Sequence, residues 1–158
     1  MAPDPQRAAA RASVRRMPIP PKELQVFLED FIPFNKFLGI RVAAMRDGFV
    51  RLELPFRAEF IGDARRNALH GGVISTLSDT CGGFALWTKI ALDDRMSTID
   101  IRVDYLAPGQ PELLIAEGTV VRMGNRVGVV DVKCWQPSLP DVIVATAKGV
   151  YNIKRVTD

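Results

Sequence analysis

The apolar positions in the first part of the folded chain follow a helical period and then a strand period. Five apolar side chains recur at helical spacing in residues 22–32: Leu24, Phe27, Leu28, Phe31 and Ile32. This spacing predicts a short amphipathic helix, which Pro33 ends. From residue 39 the alternation predicts two strands, residues 39–46 and 50–54, joined by a tight turn at Asp47-Gly48. Residues 56–69 show no clear period and predict a long loop.

The strongest helix pattern begins after His70-Gly71-Gly72. Its apolar stripe consists of Val73, Ile74, Leu77, Cys81, Phe84 and Ala85. Asp79 lies roughly opposite this stripe, on a face that also carries Gly82 and Gly83. Each glycine inside a helix costs about 1 kcal/mol relative to alanine. The pair therefore predicts the close approach of another group, either a substrate or a partner subunit.

The rest of the chain predicts four more strands. Residues 99–105 alternate cleanly between apolar and polar positions, and residues 113–123 and 126–136 are joined through Gly124-Asn125. A last strand follows over residues 142–153. Because tight turns join most of these strands, we expect an α+β fold in which a curved antiparallel sheet has its concave face covered by the long helix.

The length of the chain predicts the number of domains, and its charge and apolar content predict which partners it can bind. The chain has 158 residues, of which 47% are hydrophobic, and this predicts one domain over residues 22–158 behind a disordered basic leader over residues 1–21. The leader accounts for the net charge of +3, so the domain itself offers no basic face for nucleic acid. The leader has no continuous apolar stretch, which predicts no membrane span and a cytoplasmic protein; an Arg-rich targeting peptide is the alternative.

Cysteine and histidine usage predicts that the protein holds no metal. Cys81 and Cys134 fall in separate elements, so neither a CxxC redox pair nor a zinc site is expected, and both are predicted to be reduced packing residues. His70 is the single histidine of the chain and cannot be half of a two-histidine metal site.

Two segments identify a family. The order of elements, with EFIGDARRNALHGGVISTLSDTCGG at residues 59–83 and TIDIRVDYLAPG at residues 98–109, resembles the PaaI-like thioesterases of the phenylacetate-pathway type. These enzymes have the hotdog fold, a curved antiparallel sheet wrapped around a long central helix. The resemblance covers residues 22–154, and its specific part is HGG followed by six residues and Asp79.

The resemblance implies the hydrolysis of an acyl-CoA or aryl-CoA thioester. The Gly71 amide, with Gly72 adjacent, would polarise the thioester carbonyl, and a helix N-terminus suits an oxygen that becomes negative. Asp79 would act as a general base or as a nucleophile, and the two roles stay open. In the resembling enzymes this carboxylate faces the glycine of the other subunit, which implies a homodimer, and we expect two such dimers to pair as a dimer of dimers.

Further site residues follow from the same resemblance. His70 is expected to shape the turn and bind substrate, and Thr98 to supply a hydroxyl near the attacking water, with Ser97 as the alternative if the strand is shifted by one. Some relatives carry Asn or Gln six residues before the histidine, where this chain has Ala64. Asn67 is the candidate substitute.

The coenzyme is expected to be part of the substrate, with no separate cofactor. Arg122, Asn125 and Arg126 flank a hairpin turn where related enzymes often contact its phosphates, and Arg65 or Arg66 is the alternative. Phe60, Phe84 and Trp87 are either acyl-pocket residues or ordinary core.

Two other functions compete with hydrolysis. A non-catalytic acyl-CoA-binding or sensing domain would use the same pocket without needing Asp79. A hotdog dehydratase or hydratase would need a histidine with an acid or amide partner, which the lone His70 fits poorly.

Overall fold

The computed structural model describes residues 19–91 and 93–156. Most of the predicted leader, residues 1–18, lies outside the described residues. Ile19 already belongs to the core, since its side chain is buried, so the described fold begins before the predicted boundary at residue 22. None of the helices in the described residues is long and apolar enough to cross a membrane.

Two short helices and a wider turn precede the sheet. Helix α1 (Pro21–Val26) runs into a π-helical turn (Phe27–Phe31), and helix α2 (Pro33–Leu38) follows at once. The first helical segment ends before Pro33, as predicted, but the helix that follows was not predicted, because Pro33 occupies the first turn of α2. Proline is well placed there, since the first N–H groups of a helix have no intrahelical acceptor.

Six strands form one antiparallel sheet in the order β1-β2-β6-β7-β8-β5. Their bounds are β1 (Arg41–Arg46), β2 (Phe49–Leu54), β5 (Arg95–Tyr105), β6 (Leu114–Met123), β7 (Val127–Gln136) and β8 (Leu139–Lys154). The predicted strands and hairpins are confirmed, with β5 starting four residues earlier than expected. Strands β1 and β5 are the edges of the sheet.

The segment between β2 and the long helix contains more regular structure than the predicted loop. A single 3-10 turn (Ala58–Phe60) precedes a small two-stranded sheet of β3 (Ile61–Asp63) and β4 (Ala68–Leu69). The His70 N–H donates to the carbonyl oxygen of Phe60 at 2.8 Å. This short sheet therefore fixes the point at which the long helix begins.

Helix α3 (Gly71–Trp87) packs across β2, β6 and β7, as the hotdog fold requires. Most of the predicted apolar stripe is confirmed, because Ile74, Leu77, Cys81, Phe84 and Ala85 are buried, while Val73 is partly buried. A fully buried leucine contributes roughly 1.5–3 kcal/mol relative to an exposed one, so this face holds α3 on the sheet.

Both cysteines are packing residues, as predicted. Cys81 and Cys134 are fully buried and unbridged. Burial raises the pKa of the Cys81 thiol well above its usual value and raises that of Cys134 to about 11. Neither thiol is therefore activated as a nucleophile.

Gly82 and Gly83 face Tyr151 of β8. A Cβ atom built on Gly82 would overlap the Tyr151 hydroxyl, and one built on Gly149 would lie 2.5 Å from the Tyr151 ring. The ring is only 1% exposed. The glycine pair does mark a close approach. At Gly82 a side chain of the same chain fills the space, and not the predicted substrate or partner subunit. Gly83 borders an open cleft, so the approach of a substrate there stays a prediction.

This packing predicts that Gly82→Ala is harmful only while Tyr151 keeps its hydroxyl. Overpacking a core typically costs about 1–3 kcal/mol of stability, and we expect Gly82→Ala to fall in that range. In a Tyr151→Phe background the nearest ring carbon is 3.2 Å from the new Cβ. There the better helix propensity of alanine, about 1 kcal/mol, should offset most of the remaining strain.

Urea denaturation of the wild type, the two single variants and the double variant measures this coupling. Gly83→Ala is the control, since its Cβ would make contacts no closer than 3.4 Å. Equal costs of Gly82→Ala in both backgrounds would contradict the account.

Candidate active site

Asp79 lies at the meeting point of three elements. It is half-buried on α3, and its Oδ1 accepts a hydrogen bond from Thr98 Oγ1 of β5 at 2.9 Å. Its main-chain carbonyl oxygen accepts a second hydrogen bond, from the Tyr151 hydroxyl of β8, at 3.1 Å. The hydroxyl at Asp79 is therefore that of Thr98, and Ser97 lines the same cleft without this contact.

A cleft of about 220 Å³ opens beside the Asp79 carboxylate. Its apolar walls are Ile32, Phe84, Trp87 and Met96, while Asn35, Ser97 and Thr98 add polar groups. Phe27 extends the aromatic wall by stacking on Trp87 with ring centroids 4.9 Å apart. Phe84 and Trp87 thus line the cleft, whereas Phe60 lies under the Arg57 guanidinium in the core.

Larger depressions elsewhere lack this combination of groups. A groove of about 610 Å³ beside α1 is almost entirely apolar. One of about 420 Å³ on the other face of the sheet is lined by carboxylates that already have cationic partners, such as Glu117 with Arg51 and Lys133. The Asp79 cleft joins an apolar wall to a hydroxyl-bonded carboxylate, which is the better basis for a reaction site.

The N-terminus of α3 leaves one backbone amide free. His70 caps the helix, since its Nδ1 accepts the N–H of Gly72 at 2.9 Å. The imidazole proton of this tautomer is on Nε2, which can donate to another group. Within the described part of the chain, no group accepts a hydrogen bond from the Gly71 N–H. That amide can therefore bind an oxygen from outside the chain.

Tyr105 holds the start of the helix from the edge strand. Its hydroxyl donates to the Gly71 carbonyl oxygen at 3.1 Å, and a Cβ on Gly71 would lie 3.2 Å from the Tyr105 ring. Strand β5 therefore contacts both functional points of α3, Gly71 through Tyr105 and Asp79 through Thr98.

The two functional points lie far apart within one chain. Eight residues of α-helix separate Gly71 from Asp79, a distance of roughly 12 Å along the axis. A carbonyl oxygen on the Gly71 amide is thus out of hydrogen-bond reach of the same chain's carboxylate. Within one chain, the two groups therefore do not form a single site.

Asn67 occupies the turn between β3 and β4. It is exposed, and its φ of 52° places it in the left-handed region, which asparagine tolerates better than most residues. No described residue hydrogen-bonds its side chain. The structure does not bring Asn67 to Asp79 in the same chain, and its role stays a prediction.

The predicted phosphate-binding residues cluster at the β6–β7 hairpin. Arg122, Asn125 and Arg126 line a shallow cleft of about 480 Å³, and Asn125 and Arg126 share a second one with Lys154 and Arg155. Arg155 is engaged by Asp94 at 2.8 Å. Neither cleft includes Asp79, so a ligand bound there and at Asp79 would have to be extended.

Sequence reasoning missed Tyr151 and Tyr105. The glycine pair signalled a close neighbour of α3, but it carried no information on which of the later strands supplied that neighbour. Thr98 pairs with Tyr151 across β5 and β8, and this pairing brings Tyr151 next to α3. The register of the two strands is known only from the folded sheet.

Comparisons with known proteins agree with the geometry. The sequence model of the Thioesterase superfamily matches residues 67–143, which include His70, Gly71, Asp79 and Thr98. The medium/long-chain acyl-CoA thioesterase YigI of Escherichia coli is 30% identical over 135 residues, covering 77% of this chain and 86% of YigI.

Solved structures agree as well. A Shewanella oneidensis protein related to the thioesterase superfamily is 29% identical with a TM-score of 0.72, covering 83% of this chain and 93% of that one. The PaaI protein of the Escherichia coli phenylacetic acid degradation operon is 25% identical with a TM-score of 0.65, covering 77% and 83%. The sequence and fold together place this chain in the thioesterase superfamily, as a hotdog-fold thioester hydrolase.

Proposed function

We propose that the protein hydrolyses acyl-CoA thioesters to a free acid and coenzyme A. The observation that carries the proposal is the Asp79 carboxylate, which accepts a hydroxyl hydrogen bond at the edge of an apolar cleft. The apolar walls suit an acyl chain, and the name of the relative YigI, a medium/long-chain acyl-CoA thioesterase, supports the same substrate class. An aromatic acyl group is the alternative within this class, because Phe84 and Trp87 offer ring faces.

The chemistry divides between two groups. The Gly71 N–H binds the thioester oxygen, which becomes negative when the carbonyl carbon is attacked. As a general base, Asp79 takes a proton from water while the water oxygen bonds to the carbon. The C–S bond then breaks and coenzyme A leaves as a thiolate, which takes up a proton. As a nucleophile, Asp79 would itself bond to the carbon, and the C–S bond would break to release coenzyme A as a thiolate. Water would then hydrolyse the resulting anhydride to the free acid and restore the Asp79 carboxylate.

The separation of the two groups supports a homodimer with shared active sites. Gly71 of one chain would face Asp79 of the other, because roughly 12 Å separates them within one chain. Strand β5 supports this arrangement: it is an 11-residue edge strand, and Ile99 on it is 58% exposed. An edge of this length is suited to pairing with a second copy. A dimer of dimers and a cytoplasmic location stay predictions.

The basic hairpin is the proposed site for the phosphates of the coenzyme. Arg122 and Arg126 are exposed and have no anionic partner among the described residues, so both are free to pair with phosphate. His70 and Gly72 would contact the substrate near the carbonyl, with Asn67 on the preceding turn.

Replacing Asp79 by asparagine is expected to reduce thioester hydrolysis by about 100- to 10,000-fold, because the amide neither accepts a proton from water nor attacks the carbon. The measurement is free-thiol release from short, medium, long and aromatic acyl-CoAs. Asp131→Asn, which removes a carboxylate that pairs with Lys148 on the sheet, is the matched control and should keep wild-type activity. A wild type that binds acyl-CoA but releases no thiol from any of them would favour the non-catalytic binding domain.

Gly71→Pro tests the amide itself. Proline fits the first helical position, and His70 has the extended backbone (φ −66°, ψ 132°) that a following proline prefers. Loss of this N–H should lower kcat by about 100- to 1,000-fold. Gly71→Ala keeps the N–H, and its Cβ meets the exposed Tyr105 ring, which can yield, so it should keep most of the activity.

Mixing the two inactive proteins tests the shared site. After subunit exchange between Asp79→Asn and Gly71→Pro, half of the dimers are mixed and each has one intact site, so activity should recover to about a quarter of wild type. Sites confined to one chain would give no recovery.

A further inference from the structure

The geometry points to Tyr151 as a positioning residue that sets the direction of the Asp79 carboxylate, an inference that rests on the proposed thioester hydrolysis. Tyr151 touches Asp79 through the main chain, since its hydroxyl donates to the Asp79 carbonyl oxygen at 3.1 Å. Thr98, its pairing partner across β5 and β8, touches Asp79 through the side chain. The two hydroxyls therefore hold the same residue at two points.

The fold makes room for this particular hydroxyl. A phenylalanine at position 151 would pack in the same way as the tyrosine ring. Packing of the ring therefore does not account for the presence of the hydroxyl. The slot depends on Gly82, where a Cβ would overlap the hydroxyl, and on Gly149, where a Cβ would crowd the ring. Glycine is a poor helix former, yet α3 has one at the position where the Tyr151 hydroxyl packs.

The surroundings keep Tyr151 a hydrogen-bond donor. Burial raises the pKa of its phenol well above the usual value, and the Asp79 carboxylate beside it raises that pKa further, with a smaller contribution from Cys81. The phenol therefore stays protonated at neutral pH and well above it. It neither exchanges protons with the substrate nor carries a charge.

The effect on the reaction follows from where the hydrogen bond is made. A bond to the Asp79 carbonyl fixes the backbone from which the carboxylate extends, and Thr98 then selects its orientation. A displacement of about 1 Å at a reacting group costs up to about 100-fold in rate. Tyr151 borders the cleft, but it is only 1% exposed and its hydroxyl bonds the Asp79 carbonyl oxygen, so loss of the hydroxyl leaves the apolar walls in place. The effect should therefore fall on kcat and not on KM.

Tyr151→Phe removes the hydroxyl and keeps the ring. We expect kcat for acyl-CoA hydrolysis to fall by about 10- to 100-fold, with KM within about twofold of wild type. Ser78→Ala is the matched control, because it removes another fully buried hydroxyl from the adjacent position of α3, where Ser78 Oγ bonds the Ile74 carbonyl and Cys134. That variant should keep the wild-type kcat.

Gly82→Ala is a second, independent variant, because its Cβ displaces the hydroxyl while the tyrosine remains. It should lower kcat to a similar extent, and the double variant with Tyr151→Phe should be no slower than Tyr151→Phe alone, since both changes remove one hydrogen bond.

The outcomes separate this inference from the proposed function. An active wild type with an unchanged kcat in Tyr151→Phe, or with a raised KM as its main defect, would overturn the positioning role and leave the thioesterase proposal intact. An equal loss of kcat in Ser78→Ala would also overturn it, by showing a general sensitivity of α3. A wild type that releases no thiol would overturn the proposed function, and the inference with it.

Discussion

The close approach of helix α3 to the sheet at Gly82 determines where the Asp79 carboxylate lies. Without side chains at Gly82 and Gly149, Tyr151 enters between the helix and β8, and its hydroxyl reaches the backbone of Asp79. The same approach brings Thr98 of β5 within 2.9 Å of the carboxylate. Packing of the apolar stripe supplies the stability, while these two hydroxyls give the one charged residue of α3 a defined position.

The elements with a strong period could be predicted from the sequence, and their spatial neighbours could not. The stripe from Ile74 to Ala85 and the alternation around Ile101 gave α3 and β5 correctly, because burial on one face imposes those periods. The helix that begins at Pro33 was missed, since a proline that ends one helix is equally suited to begin the next. The HGG motif and Asp79 were recognisable locally, but Tyr151 lies 72 residues from Asp79 and depends on strand register.

In the proposed reaction, one chain carries both groups and completes neither site by itself. The free Gly71 amide and the Asp79 carboxylate occupy one rigid helix, so their separation of roughly 12 Å does not adjust to a substrate. An antiparallel pairing of two edge strands would bring the Tyr105 and Thr98 contacts of one chain close to those of the other. Assembly would then create the catalytic geometry as well as cover an exposed sheet edge.

A crystal structure with an acyl-CoA analogue in which a methylene group replaces the sulfur tests this arrangement most directly, because the carbonyl is kept and cannot be hydrolysed. The account predicts the carbonyl oxygen within hydrogen-bond distance of Gly71 N of one chain, and the Asp79 carboxylate of the partner chain facing the carbonyl carbon, directly or through one water. An analogue bound with its carbonyl away from both groups, or Asp79 pointing into bulk solvent in the dimer, would contradict it.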